Sequence, residues 1–164
     1  MKRMLILAMA VLCIALYPVS AQKSEVNEND KYYKAREIID AKGDLNKAAE
    51  LLRDNVKEYP KHIPSYVLLA SLDRRYERYG DALRLLDLAI KNNHKTSGFS
   101  EAYLLWWKGL VYEDMDEDKK GIEVMNQAVK YAKKQKDSNL MDMLQLLAQL
   151  HYNLKQYDES DRVY

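Results

Sequence analysis

An internal repeat limits the folds open to this chain more than any other feature of its sequence. One period relates Leu45 to Tyr79, Ala48 to Ala82, Leu52 to Leu86 and Val56 to Ile90. A second and slightly longer period relates Ala82 to Gly121, Leu86 to Met125, Ala89 to Ala128 and Ile90 to Val129. A further step of this longer period reaches Ser160 and Tyr164. Because unrelated helices would not keep small and large residues in phase, the sequence predicts an array of similar units.

Helix formers dominate these units, and helix breakers are few. Pro60 and Pro64 are the prolines after Ala21, and the whole chain has five glycines. No stretch alternates apolar and polar residues over the length of a strand. The pattern therefore predicts an all-α fold in which each unit is a pair of helices. The units are expected over residues 31–60, 63–94, 101–135 and 139–164, and the last one is expected to stop in mid-helix.

The first unit carries the clearest local signals. Its helices are predicted over residues 31–41 and 45–58. Gly43 lies where a residue with positive φ would end the first helix, and Asp44 is placed to cap the start of the second. Pro60 ends the second helix because the proline ring clashes with the preceding turn.

These helix pairs resemble the tetratricopeptide repeat, a helix–turn–helix unit of about 34 residues. The matching positions in the first two units are Tyr32, Ala35, Ile39, Gly43, Leu45, Ala48, Leu52, Pro60, Tyr66, Leu69, Ala70, Tyr79, Ala82, Leu86 and Ala89. Those in the last two units are Leu105, Gly109, Tyr112, Gly121, Met125, Ala128, Leu144, Leu147, Ala148, Tyr157 and Tyr164. The resemblance covers residues 31–164 and implies an α-solenoid with a right-handed superhelical course. The chain is similar in this respect to exported bacterial proteins of the family.

Some positions depart from the family pattern. Arg36, Lys108 and Ser160 replace residues that are small or aliphatic in the family, and we expect the first unit to be a partly polar cap. Small residues such as Ala48 and Gly121 are expected where two helices approach closely. Because the fourth unit has no polar capping helix after it, we expect the sequence to be a piece of a longer chain.

Residues 1–21 have the three-part layout of a secretory signal peptide. Residues 2–3 are basic, residues 4–16 are uncharged and apolar, and residues 18–21 supply a helix breaker and small residues before a cut after Ala21. The apolar run is short for a membrane span, and the small residues at the cut disfavour an uncleaved anchor. Cys13 follows a leucine, whereas a lipidated cysteine requires a small residue before it.

Removal of this segment would leave residues 22–164 without a cysteine, so that a packed core rather than disulfides must hold the fold. Of the 26 basic residues, 24 would remain against 25 acidic ones, for a net charge of −1. This balance gives no electrostatic sign of a nucleic-acid or anionic-membrane partner. No second apolar run of spanning length follows. We expect an exported protein, periplasmic or secreted, with residues 22–30 as a linker.

No arrangement in the sequence is typical of a catalytic, cofactor or metal site. His62 and His94 are predicted to be solvated loop residues and His151 a packed core residue, and their spacing does not suit metal ligands. After Ala21 there is no thiol, no nucleophile in a Gly-x-Ser-x-Gly turn and no phosphate-binding glycine run. The acidic residues 113–118 lack the alternating ligands of a calcium loop and favour a solvated turn. No small-molecule substrate is evident.

The resemblance implies that the first helix of each unit lines a concave groove that binds a peptide. The groove residues implied in this way are Tyr33, Glu37, Val67, Ser71, Arg74, Arg75, Tyr103, Trp106, Leu110, Glu113, Gln145, Gln149, Tyr152 and Asn153. Aromatic and arginine side chains are typical anchors at such interfaces. The sequence leaves open whether Trp106 or Trp107 faces the groove. Arg74 and Arg75 favour a partner segment with apolar anchors and some acidic residues.

The sequence thus predicts a non-catalytic scaffold that binds a protein or a peptide segment outside the cytoplasm. Two alternatives remain open. The chain could be the extracytoplasmic sensor region of a membrane signalling protein, or an accessory repeat domain of a longer exported enzyme.

Overall fold

The computed structural model of the protein describes residues 27–164, so the predicted signal peptide and most of the linker lie outside the described residues. Residues 27–164 are 75% helical and contain no strand. Their helices are α1 (Asp30–Asp40), α2 (Leu45–Glu58), α3 (Ile63–Arg75), α4 (Tyr79–Asn92), α5 (Glu101–Asp114), α6 (Asp118–Gln135), α7 (Leu140–Asn153) and α8 (Tyr157–Asp161). The predicted all-α fold is confirmed.

The helices stack in chain order. Each helix packs on the next one, and α5 also contacts both α3 and α7. Two hydrogen bonds show that α5 and α7 run in the same direction. Ser100 before α5 donates to Asp137 before α7 (Oγ–Oδ2, 2.6 Å), and Asn153 at the end of α7 donates to Asp118, which begins α6 just after α5 ends (Nδ2–Oδ1, 3.0 Å). The odd-numbered helices therefore share one face of a helical-repeat solenoid.

Small residues lie where the helices approach each other most closely. The side chains of Ala48, Ala82 and Ala128 are completely buried. A Cβ atom added to Gly121 would lie 3.0 Å from Leu150 Cδ1, and one added to Gly109 would lie 2.9 Å from Met125 Cγ. These distances are shorter than ordinary van der Waals contacts. The structure therefore confirms that the repeated small residues mark close helix contacts.

The turn after α1 differs from the prediction. Gly43 does not have a positive φ, and Lys42 takes the left-handed conformation instead (φ 53°). The N–H of Gly43 donates to the Ile38 carbonyl (2.8 Å) and that of Lys42 to the Ile39 carbonyl (3.0 Å), which is a Schellman motif with glycine one position later than predicted. Glycine at position 43 instead lets the turn pass close to Ile38, because a Cβ there would lie 3.2 Å from the Ile38 carbonyl oxygen.

The same turn recurs in each unit without glycine at the left-handed position. Glu77, Asp116 and Lys155 have φ values of 58°, 55° and 60° and follow α3, α5 and α7. Side chains with a Cβ are strained in this region by roughly 1–2 kcal/mol. The packing of the helices on either side must therefore compensate for this strain at every turn.

Other helix ends follow the sequence signals in part. Asp44 caps α2 as predicted, because its carboxylate accepts from the backbone N–H groups of Asn46 (2.9 Å) and Lys47 (3.3 Å). The predicted continuation of the last helix to Tyr164 is wrong, since α8 ends at Asp161. Its main packing partner is α7, and so short a helix needs more tertiary contact to extend further.

We expect Lys42→Gly to stabilise the protein by about 0.5–1 kcal/mol. The left-handed strain that glycine relieves is larger than the additional backbone entropy that glycine loses on folding. The matched control is Lys34→Gly, an exposed lysine in the middle of α1, which should destabilise the protein by about 1 kcal/mol. Urea unfolding followed by circular dichroism measures both changes. A loss of stability in both variants would contradict the assigned turn.

The prediction that His62 is a solvated loop residue is wrong, because only 5% of His62 is exposed. Its Nε2 lies 2.9 Å from Asn29 Oδ1, and its Nδ1 lies 2.8 Å from Ser65 Oγ and 3.2 Å from Asn55 Nδ2. Asn29 Oδ1 can only accept and Asn55 Nδ2 can only donate, so the assigned hydrogen bonds put a proton on Nε2, leave Nδ1 as an acceptor and make the ring neutral. The short connection between α2 and α3 turns this ring inward against Tyr32, with ring centroids 5.2 Å apart.

This burial makes stability depend on pH. Burial lowers the pKa of His62 below its ordinary value of 6.5, although the charge of Glu28 acts in the opposite direction. The unfolded chain therefore binds more protons than the folded chain below pH 6.5, and the free energy of unfolding falls as the pH decreases from there. We expect a smaller decrease between pH 7.5 and 5.5 in His62→Gln than in the wild type. Exposed His94 provides the control, because His94→Gln should retain the wild-type dependence.

Candidate peptide-binding site

A cleft of about 490 Å³ lies between α5 and α7 on the face of the odd-numbered helices. Its lining residues are Trp106, Leu110, Glu113, Asp142, Gln145, Leu146 and Gln149. The first and last members on each helix are two turns apart, so they form one stripe along α5 and one along α7. We call this site the α5–α7 cleft.

Five of the predicted groove residues line the α5–α7 cleft. They are Trp106, Leu110, Glu113, Gln145 and Gln149. Sequence reasoning missed Asp142 and Leu146. Leu146 is buried and continues the apolar floor, and Asp142 is an exposed residue at the start of α7. Both stand three positions before residues that were predicted, which is the helical spacing that could have identified them.

The structure separates the two neighbouring tryptophans. Trp106 and Leu110 pack against the buried residues of α6 and α7, whereas Trp107 packs against the core formed by the first units. Adjacent residues of a helix point about 100° apart, which sends the two rings in different directions. Both indole N–H groups are buried and have no hydrogen-bond partner among residues 27–164. Trp106 therefore lines the cleft while also belonging to the core.

The charges on the cleft are negative. Burial raises the pKa of Glu113, the negative charge of Asp114 raises it further, and Arg74 lowers it. Asp142 contributes a second carboxylate, and among the described residues that line the cleft there is no lysine or arginine. At the end nearer Glu113, Gln149 Nε2 donates to Asn153 Oδ1 (2.8 Å).

The two predicted arginines do not line the α5–α7 cleft. The guanidinium of Arg74 binds Asp114 on α5 through two bonds, Nε–Oδ2 at 2.5 Å and Nη2–Oδ1 at 3.0 Å. This ion pair links α3 to α5 and occupies the face of Arg74 that a carboxylate partner would need. Arg75 is exposed. The expected preference for an acidic partner thus loses its main support.

The remaining predicted groove residues lie elsewhere. Tyr33 and Glu37 are exposed on α1, while Val67 is buried, and the Ser71 hydroxyl donates to the Leu68 carbonyl (2.7 Å). The first two units therefore contribute none of the residues that line the α5–α7 cleft.

Two predicted aromatic residues flank the cleft without lining it. Tyr103 packs against Phe99 and Trp106, each with a centroid separation of 5.6 Å. Tyr152 is exposed and its ring meets Tyr157 edge-on at 5.3 Å. The structure thus gathers only part of the predicted set into one site.

The other sequence predictions about chemistry have mixed outcomes. His94 is exposed as predicted. His151 is not a core residue, because it is only partly buried and its Nδ1 lies 2.8 Å from Gln156 Oε1. Residues 27–164 contain no group of three or more His, Cys, Asp or Glu side chains that could hold a metal ion. Across the same residues, no helix is long and apolar enough to cross a membrane.

Comparison with known proteins supports the fold. No family model and no curated protein matches the sequence. A crystal structure of MamA protein is 20% identical, with a TM-score of 0.67 over 84% of this chain and 69% of that chain. Another MamA crystal structure is 19% identical, with a TM-score of 0.68 over 96% and 81%, and MamA from Desulfovibrio magneticus RS-1 is 17% identical, with a TM-score of 0.67 over 85% and 72%. MamA is a helical-repeat protein of the tetratricopeptide type, so this chain has that fold.

Proposed function

We propose that this protein is an exported, non-catalytic scaffold that holds a peptide or a protein segment in the α5–α7 cleft. The observation that carries the proposal is the composition of this cleft. An apolar floor of Trp106, Leu110 and Leu146 lies beneath exposed amides, Gln145 and Gln149. Sites that bind other molecules typically combine an apolar surface with a few polar groups that fix orientation.

The size of the cleft suits a short segment rather than a large globular surface. Its volume of about 490 Å³ lies within the range of roughly 300–1,000 Å³ that is typical of ligand-binding pockets. The walls are two helices whose starts are linked by the Ser100–Asp137 hydrogen bond, and the end of α7 is held by the Asn153–Asp118 bond to the start of α6. A site built on rigid helices requires little ordering when a segment binds, which favours affinity.

The same residues argue for binding without a reaction. Among the described residues, the lining contains two carboxylates and two amides together with apolar side chains, and it includes no serine, cysteine, lysine or histidine. Covalent catalysis by a serine, cysteine or lysine needs such a residue activated by its surroundings, for example by an adjacent base. The proposal accordingly assigns no catalytic residue and no cofactor to the cleft.

Selection from a displayed library of random decapeptides tests the proposal, with the immobilised protein as bait. Gln145→Trp should weaken binding of the selected peptides at least tenfold, because an indole at this exposed position would fill the cleft. The control is Gln127→Trp, an exposed glutamine on α6 outside the cleft, which should leave binding unchanged. If no peptide is selected, or if every selected peptide binds Gln145→Trp as well as the wild type, the cleft is not the binding site.

Export is the second element of the proposal and depends on residues 1–21. When the complete sequence is expressed in a bacterium with a secretory pathway, we expect a mature protein that begins at Gln22 and is found outside the cytoplasm. Mass spectrometry of the purified protein measures the N-terminus. An intact Met1, or a lipid on Cys13, would contradict the export proposal.

A further inference from the structure

The lining of the α5–α7 cleft carries net negative charge, which nearby Arg74 offsets only in part at Glu113, and this distinguishes the cleft from a neutral apolar groove. Glu113 and Asp142 belong to the lining, which has no basic side chain among the described residues. Two cations close to the cleft are bound to carboxylates outside its lining. Arg74 binds Asp114, and Lys108 on α5 places its Nζ 2.6 Å from Asp87 on α4. A segment that enters the cleft therefore meets two carboxylates, and a positively charged side chain would interact with them more favourably than a neutral or negatively charged one.

The two carboxylates stand at opposite ends of the apolar floor. Because α5 and α7 run in the same direction and are related by the longer repeat period, Glu113 is level with Tyr152 of α7, ten residues beyond Asp142. Ten residues of helix rise about 15 Å. Trp106 and Leu110 lie between these two levels. The cleft therefore presents negative charge, then an apolar surface, then negative charge again.

This spacing can be converted into a peptide pattern. An extended chain advances about 3.3 Å per residue, so about 15 Å corresponds to four or five residues. Gln145 and Gln149 are four positions apart on α7, which separates their Cβ atoms by about 6 Å. That distance is close to the two-residue repeat of an extended backbone, about 6.6 Å. The two amides can therefore reach successive polar groups on the same side of an extended segment.

We infer that the segment bound in the α5–α7 cleft is extended and basic, with an apolar side chain between two lysine or arginine residues four or five positions apart. This inference rests on the proposed function and specifies the class of its partner. The basic side chains meet Asp142 and Glu113, and the apolar side chain lies on Trp106 and Leu110. Acidic segments are repelled at both ends of the cleft.

The peptide selection described above tests the inference through the sequences that it returns. We expect enrichment of lysine or arginine at two positions four or five apart, with an apolar residue between them. The double variant Glu113→Gln/Asp142→Asn should bind these peptides about tenfold more weakly, since each exposed ion pair accounts for up to about fivefold. Glu50→Gln/Glu123→Gln removes two exposed carboxylates outside the cleft and should leave the affinity unchanged.

A matched change in the peptide keeps the test independent of any loss of folding in the variant. On the wild-type protein, replacing both basic residues of a selected peptide by glutamate should abolish binding, and raising the salt concentration should weaken binding of the original peptide. If the selected peptides are acidic or uncharged, but still bind the Gln145→Trp variant more weakly than the wild type, the inference is overturned and the scaffold function remains intact. Equal affinity for Glu113→Gln/Asp142→Asn and the wild type would also overturn it. Failure to select any peptide that depends on the cleft would instead contradict the proposed function.

Discussion

Close approach of paired helices at small residues holds this solenoid together. Ala48 and Ala82 are completely buried, and neither Gly109 nor Gly121 leaves space for a Cβ atom. Close packing lets each helix pair contact its neighbour along its length, and dispersion forces are then collectively large. Since the sequence has no cysteine after Ala21, the stability of the array must come from such stacking. A larger side chain at Gly109 or Gly121 would push against Leu146 or Leu150 of α7 and so displace a wall of the cleft.

The turns show the same dependence on packing. Lys42, Glu77, Asp116 and Lys155 adopt left-handed backbone conformations that glycine would adopt without strain. The chain tolerates this strain because each turn joins two helices whose relative position is already set by their contact. Polar links then add to this packing. Arg74 binds Asp114 between α3 and α5, and Asn153 at the end of α7 binds Asp118 at the start of α6. The α5–α7 cleft is a consequence of this arrangement.

The role of Trp106 follows from its place in both the core and the cleft. Its indole nitrogen is buried while part of the residue lines the cleft. A substitution there would remove core packing as well as a binding surface, since truncation of a buried tryptophan is costly. A substitution at exposed Gln145 changes the binding surface without removing core packing, and it therefore separates the effect on binding from the effect on stability. The charge of the cleft depends on tertiary contacts in a similar way, because the guanidinium of Arg74 is bound by Asp114 and the ammonium of Lys108 by Asp87, and neither residue belongs to the lining.

Residue spacing along the chain was enough to establish the repeat, the all-α fold, the helix pairs and the close contacts at small residues, because these follow from the period of a single helix. The family resemblance placed Trp106 and Gln145 among the groove residues, and the structure decided that Trp106 rather than Trp107 lines the cleft. Contacts between helices were needed to bury His62, to make Lys42 rather than Gly43 left-handed, and to bind Arg74 to Asp114. Each of these outcomes depends on groups from different helices or on the way two helices meet at a turn. Periodicity reports which face of a helix a residue occupies, whereas its partner and its charge environment are set by packing across helices.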